Sequence, residues 1–185
     1  NTRLYGVSFT DASNGVAVGE RGTILRTADG GVTWKEQKSG TTNWLGAVSL
    51  RGTNDGIAVG ELGKIYCTVD GGATWTTPSR GPTGTLVAVS FTDANTGAAV
   101  GAAGRILRTT DAGATWTEQK SGTKEGLPGV FFTDSRTGTV VKNRGEILRT
   151  TDGGATWTRQ PSATRNVAHP SPGLRPNAQI AQLTG

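Results

Sequence analysis

The stretch Thr27–Trp34, which reads TADGGVTW, occurs four times in this chain in closely related form. It returns as TVDGGATW at Thr68–Trp75, as TTDAGATW at Thr109–Trp116 and as TTDGGATW at Thr150–Trp157. Each return follows the previous one by 41 residues. A repeat of this length, with several strand-like runs in each unit, is typical of a β-propeller in which every unit forms one blade.

Columns outside this motif follow the same period without insertion or deletion. Units one, three and four share the tripeptide Phe-Thr-Asp, which begins at Phe9, Phe91 and Phe132, whereas unit two has Leu-Arg-Gly from Leu50. Unit two is therefore the divergent one. The period is clearest in the columns Leu4, Leu45, Leu86 and Leu127 and Gly22, Gly63, Gly104 and Gly145.

Each unit holds four short runs of strand-forming residues, separated by turns rich in Gly, Asn and Asp. In unit one these runs are 4–9, 16–19, 23–27 and 33–37. The sequence therefore predicts an all-β fold, a β-propeller of four-stranded antiparallel blades, with four blades in this chain. The predicted blades cover about residues 4–40, 45–81, 86–122 and 127–163, so 1–163 form the propeller unit and 164–185 a proline-containing tail.

The composition suits stacked blades and narrows the class of partner. Only 34% of the 185 residues are hydrophobic, which is enough where neighbouring blades cover each other. The net charge of +5 favours acidic partners, but the 19 Lys and Arg residues are too dispersed for a nucleic-acid groove.

Without an apolar run of roughly 18 residues, we expect membrane contact to be peripheral at most. A start at Asn1 fits a processed product and favours an extracytoplasmic location, whether periplasmic, lumenal or secreted.

The repeated motif Thr-x-Asp-x-Gly-x-Thr-Trp lies on the hairpin that joins the third and fourth strands. We expect its Asp carboxylate to be buried and to accept hydrogen bonds from the turn, while the two Thr hydroxyls brace the hairpin. Its second Gly should adopt positive φ, and its Trp should cover the turn. The residues predicted to be structural are Asp29, Trp34, Asp70, Trp75, Asp111, Trp116, Asp152 and Trp157.

These segments match the Asp-box, also called the bacterial neuraminidase repeat. The wider pattern, with its Ile-Leu-Arg-Thr strand and Asp-Gly-Gly-Ala-Thr-Trp hairpin, resembles the photosystem II stability and assembly factor family over about residues 4–160. The resemblance implies a non-catalytic scaffold or binding module that docks a protein partner, by analogy a membrane or envelope complex during assembly. The alternative is a carbohydrate-binding propeller, either a lectin or a truncated sialidase-like glycosidase, because the Asp-box also occurs in sialidases.

The repeat argues against an active site, because catalytic residues should break the symmetry of its columns. A sialidase needs an arginine cluster, a Tyr–Glu pair and an acid/base Asp, whereas most acids here occupy repeated turn positions. Tyr5 and Tyr66 stand in columns that indicate packing. His169 has no partner at metal-ligand spacing, and Cys67 is a small strand residue where the other units have arginine. We therefore predict no enzyme activity, no metal and no cofactor.

Two features remain as candidates for binding. The first is a column of arginines, Arg26, Arg108 and Arg149, which the family resemblance assigns to a basic patch that docks a protein partner. The three positive charges predict that this partner offers an acidic segment or a carboxylate terminus. Hydrogen bonding between blades is the alternative role for this column. The second is Trp44, which could anchor an interface, stack on a sugar or cap the gap between two blades. Further basic candidates are Arg105, at the head of the same strand, and Arg21 and Arg144, in the preceding turns.

Four blades leave the closure of the ring open. The family usually has more than four blades, and an unclosed stack would expose blade faces at both ends. Three arrangements are compatible with the sequence: self-association with a second copy, a longer parent chain, or a closed four-blade ring.

Overall fold

The computed structural model describes residues 2–77 and 84–161. Within these ranges the chain forms fifteen β-strands in four antiparallel sheets, which confirms the predicted all-β architecture. The predicted tail, 164–185, lies outside the described residues. The first blade contains β1 (Leu4–Phe9), β2 (Gly15–Gly19), β3 (Ile24–Thr27) and β4 (Lys35–Gln37), paired in that order.

The second blade departs from the predicted four strands. It contains β5 (Leu45–Arg51), β6 (Asp55–Gly60) and β7 (Ile65–Thr68). Where a fourth strand is expected, the described residues form only one bridge, between Cys67 and Thr76. In the sequence, Pro78 aligns with Gln37 of the first unit, and proline has no N–H to donate to a sheet ladder.

The third and fourth blades return to four strands. The third contains β8 (Leu86–Phe91), β9 (Gly97–Gly101), β10 (Ile106–Thr109) and β11 (Thr117–Gln119). The fourth contains β12 (Gly129–Phe132), β13 (Gly138–Val141), β14 (Ile147–Thr150) and β15 (Thr158–Gln160).

The two ends of each blade carry different turns. In the first blade Leu4 pairs with Gly19, while Phe9 and Thr27 both pair with Gly15. We call the end at which each first strand begins the turn end, because short 3₁₀ turns lie there. The opposite end carries the Asp-box hairpins, and we call it the hairpin end. The 3₁₀ turns are Glu20–Gly22, Glu61–Gly63, Ala102–Gly104 and Asn143–Gly145.

Blades pack on each other face to face, and the core lies between them. We call the side toward the next blade in sequence the forward face, and the side toward the preceding blade the rear face. The first strands of successive blades contact each other, so β1, β5, β8 and β12 are innermost. Between blades one and two, the forward face contributes Val16, Val18 and Ile24, and the rear face contributes Leu45, Val48, Ala58, Tyr66 and Trp75.

The stack is open at both ends. Leu4 and Val7, on the rear face of blade one, are 49% and 59% exposed, whereas their counterparts Leu45 and Val48 are 0% and 7% exposed. On blade four, Val141 of the forward face is 39% exposed, although Val18 in the same column is fully buried. The closed four-blade ring is therefore not the arrangement of the described residues.

Candidate functional site

The four Asp-boxes share one hydrogen-bonded geometry. In blade one the Thr27 hydroxyl donates to Asp29 Oδ1 (2.8 Å) and accepts from the Gly31 N–H (2.9 Å). Thr33 donates its N–H to Asp29 Oδ1 (2.9 Å) and its hydroxyl to Oδ2 (2.5 Å). Gly31 has the expected positive φ, at 92°. The same four bonds recur around Asp70, Asp111 and Asp152.

The Asp-box carboxylates are exposed, so the expectation that they would be buried is wrong. The motif lies at the tip of a hairpin, where neighbouring blades do not cover it. Hydrogen bonds from Thr33 lower the pKa of Asp29 to about 2, and those from Thr74 lower the pKa of Asp70 to about 2. All of these bonds lie within one hairpin, which supports the predicted structural role.

The arginine column serves mainly to join blades. Arg26 donates from Nε to the carbonyl oxygen of Gly71 in the next blade (2.9 Å). Arg108 is only 8% exposed, donates to the Ser135 carbonyl oxygen (2.5 Å) and lies 4.6 Å above the Phe132 ring. Arg149, on the forward face of blade four, is exposed. The three arginines therefore do not form one exposed patch, and the inter-blade alternative describes two of them.

Arg51 provides this contact in the blade that lacks the column arginine. It donates to the carbonyl oxygens of Ala94 and Ala112, the latter at 3.3 Å, and its guanidinium lies 4.3 Å from the centre of the Phe91 ring. Ala94 occupies the same column as Ser135, which Arg108 binds, and Ala112 occupies the same column as Gly71, which Arg26 binds. Sequence reasoning missed Arg51.

A signal for Arg51 was present in the repeat itself. Unit two departs from two columns at once, with Arg51 where the other units have Thr and Cys67 where they have Arg. Unit two thus loses an arginine at Cys67 and gains one at Arg51, which indicates that the second change compensates for the first. Burial raises the pKa of the Cys67 thiol to about 11, which agrees with its expected inert role.

The remaining predicted arginines lie at the other end of the blades. Arg21 and Arg144 occupy 3₁₀ turns with φ of 54° and 73°. Arg105 directly precedes β10 at the same end and forms an ion pair with Glu118 (3.5 Å). The candidates of the sequence are thus divided between the turn end and the hairpin end.

A basic groove of about 1080 Å³ opens at the turn end between blades one and two. Arg21, Lys38 and Lys64 line it, together with Glu36. The loop that forms one wall passes close to Gly22, where a Cβ atom would lie 2.1 Å from the Thr41 carbonyl oxygen. Glycine at this column therefore permits the groove wall to take its position.

An aromatic slot of about 400 Å³ is lined by Tyr5, Trp44, Gly46 and Val87. The rings of Tyr5 and Trp44 meet edge to face with centroids 5.9 Å apart. Tyr66 is buried as expected, whereas Tyr5 packs against Trp44 but remains 49% exposed. A column of Tyr5, Gly46, Val87 and Pro128 gave no hint of this, because the second ring comes from a different column.

No group of three or more His, Cys, Asp or Glu side chains in 2–77 and 84–161 is arranged to hold a metal ion. His169 lies outside these ranges. Among the helices of the described residues, none has the length and apolar character needed to cross a membrane.

Similar proteins share this architecture. The family model described as "Photosynthesis system II assembly factor YCF48" matches residues 1–80. A solved structure of YCF48 bound to D1 peptide aligns with a TM-score of 0.73 at 24% identity, covering 88% of this chain and 54% of that one. The chain is an Asp-box propeller that resembles the photosystem II assembly factors. It spans about half the length of that YCF48 chain.

Two other structures show the fold alone. An ancestral GH74 enzyme aligns with a TM-score of 0.72 at 16% identity, over 88% of this chain and 24% of the enzyme. The computationally designed Ika4 protein aligns with a TM-score of 0.67 at 13% identity, over 83% of this chain and 93% of Ika4. No curated protein sequence matches the chain.

Proposed function

We propose that this chain is a non-catalytic propeller module that binds an acidic segment of a protein partner in the basic groove. The observation that carries the proposal is the lining of the groove, in which Arg21, Lys38 and Lys64 are accompanied by one acid, Glu36. Cations on a concave, solvent-filled surface attract and orient carboxylates. Peptide binding by YCF48, a protein of the same architecture, supports a peptide ligand here.

This proposal moves the docking surface from the hairpin end to the turn end. Arg26 and Arg108 are occupied by carbonyls of the next blade, so they have less capacity to bind a partner. Of the predicted basic candidates, Arg21 lies in the groove, and Arg149 remains a rival site at the opposite end. The resemblance to assembly factors favours an extracytoplasmic partner that belongs to a membrane or envelope complex.

The test uses short synthetic peptides of alternating Asp and Ser, with matched Asn and Ser peptides as neutral probes. We expect binding of the acidic peptide that weakens as salt rises, and its loss in the variant Arg21→Glu/Lys38→Glu. Lys35→Glu is the matched control, because Lys35 is an exposed lysine at the start of β4, outside the groove lining. Binding that survives the groove variant but is lost in Arg149→Glu would place the site at the hairpin end instead.

The carbohydrate alternative is supported by the aromatic slot, since sugars stack on exposed Trp and Tyr rings. The GH74 enzymes share only the fold with this chain. Titration with xyloglucan and sialyl-lactose, followed by Trp fluorescence and by product release, separates the two hypotheses. Saturable sugar binding or hydrolysis above the blank, lost in Trp44→Ala, would contradict the peptide proposal.

A further inference from the structure

We propose that the aromatic slot binds one apolar or aromatic side chain of the same acidic segment. The ligand would then be an acidic peptide with a single hydrophobic anchor. This inference rests on the proposed function, because it assigns the second half of that peptide site. It uses residues that no resemblance assigns.

The slot is formed by a pair of rings that occurs once in the described blades. Trp44 occupies the column of Arg3, Thr85 and Gly126, and Tyr5 stands opposite in the adjoining blade. A Cβ atom at Gly46 would lie 2.7 Å from the Trp44 ring, so the indole occupies the space that a side chain would take there. The absence of a side chain at Gly46 thus lets the ring line the slot.

Several polar groups near the slot already bond to one another, which leaves the ring surfaces as its main lining. The Tyr5 hydroxyl donates to Glu20 Oε1 (3.0 Å), and Arg3 N–H donates to Glu20 Oε2 (3.4 Å). The Trp44 carbonyl oxygen accepts from the Glu61 N–H (3.1 Å). Rings that served only to fill a core would be buried, whereas Tyr5 is half exposed.

The slot and the basic groove share a border of adjacent residues in two separate segments. Glu20 bonds to Tyr5 at the slot, and the next residue, Arg21, lines the groove. Asn43 lines the groove, and the next residue, Trp44, lines the slot. Because these two segments run directly from one surface to the other, a peptide held by the groove cations can extend to the rings, and aromatic pairs of this kind are typical anchors of interfaces.

The experiment compares two acidic peptides that differ only in one central residue, Phe or Ser. Wild-type protein is expected to bind the Phe peptide about tenfold more tightly than the Ser peptide. Trp44→Ala and Tyr5→Ala should abolish this preference while the salt dependence of binding stays unchanged. Gly46→Val should weaken the preference by another route, because a Cβ atom at this position would lie 2.7 Å from the Trp44 ring and would displace it. Phe131→Ala is the control, since Phe131 is an exposed aromatic, 64% accessible, that does not line the slot.

The outcomes separate this inference from the proposed function. If both peptides bind equally and with the expected salt dependence, the groove proposal stands and the slot proposal is overturned. If neither peptide binds, both are overturned. If the preference for Phe persists in Trp44→Ala and Gly46→Val, the anchor binds elsewhere and the slot proposal is wrong.

Discussion

Several columns of the repeat hold the same residue type in an interior blade and in a terminal blade, but the surroundings of that residue differ. Leu45 and Leu4 share a column, yet the first is fully buried and the second is 49% exposed. Trp75 and Trp34 make the same indole bond to their own hairpin, but Trp75 is 8% exposed and Trp34 is 36% exposed. A blade thus folds its hairpin by itself, whereas the burial of its hydrophobic face depends on the neighbouring blade.

The largest expected effect tests this dependence at the leucine column. Leu45→Ala should lower the free energy of unfolding by about 2–5 kcal/mol, because it removes a fully buried side chain between two blades. Leu4→Ala, in the same column of blade one, should cost less than about 1 kcal/mol, because half of that side chain is already in water. Urea unfolding of the two variants measures the difference. Equal losses would show that the rear face of blade one is covered in solution.

A smaller effect is expected at the interface between blades two and three, which Arg51 joins from an unusual column. Arg51→Thr should cost about 2 kcal/mol, because two charge-assisted hydrogen bonds and a cation–π contact are lost. Adding Cys67→Arg places arginine in the column that Arg26 and Arg108 use, so the double variant should recover most of the loss.

A double-mutant cycle is the right measurement for this pair. The sum of the single effects should exceed the effect of the double variant by about 1 kcal/mol or more. Arg149→Ala serves as the control, because this exposed arginine should change stability by less than about 0.5 kcal/mol. Additive effects of Arg51→Thr and Cys67→Arg would contradict compensation.

Structural features that repeat in every unit could be predicted from the sequence. The role of a residue could not be predicted where it depends on contacts with an adjacent blade. The 41-residue columns predicted the antiparallel blades and the Thr–Asp hydrogen bonds that brace each Asp-box hairpin, but neither the three strands of blade two nor the exposure of the Asp carboxylates. Arg26 and Arg149 both lie in Ile-Leu-Arg-Thr strands but differ in surroundings, because among the described residues only Arg26 is followed by another blade. The aromatic slot could not be predicted, since it joins Tyr5 and Trp44 from different columns of different blades.

The smallest effect concerns acid stability, where interior and terminal blades should behave alike. Asp29 and Asp70 both have a pKa lowered to about 2 by threonine hydrogen bonds within their own hairpins. Because the folded pKa lies below the unfolded value of about 3.9, the stabilisation is complete above that value and is lost as the pH falls toward 2. Thermal unfolding temperature should therefore be flat above about pH 5 and fall below about pH 4. Asp29→Asn and Asp70→Asn should each reduce this fall of the unfolding temperature at low pH, and both by the same small amount. If Asp70→Asn reduced the fall of the unfolding temperature at low pH and Asp29→Asn did not, the Asp-box would rely on the neighbouring blade, as the leucine column does.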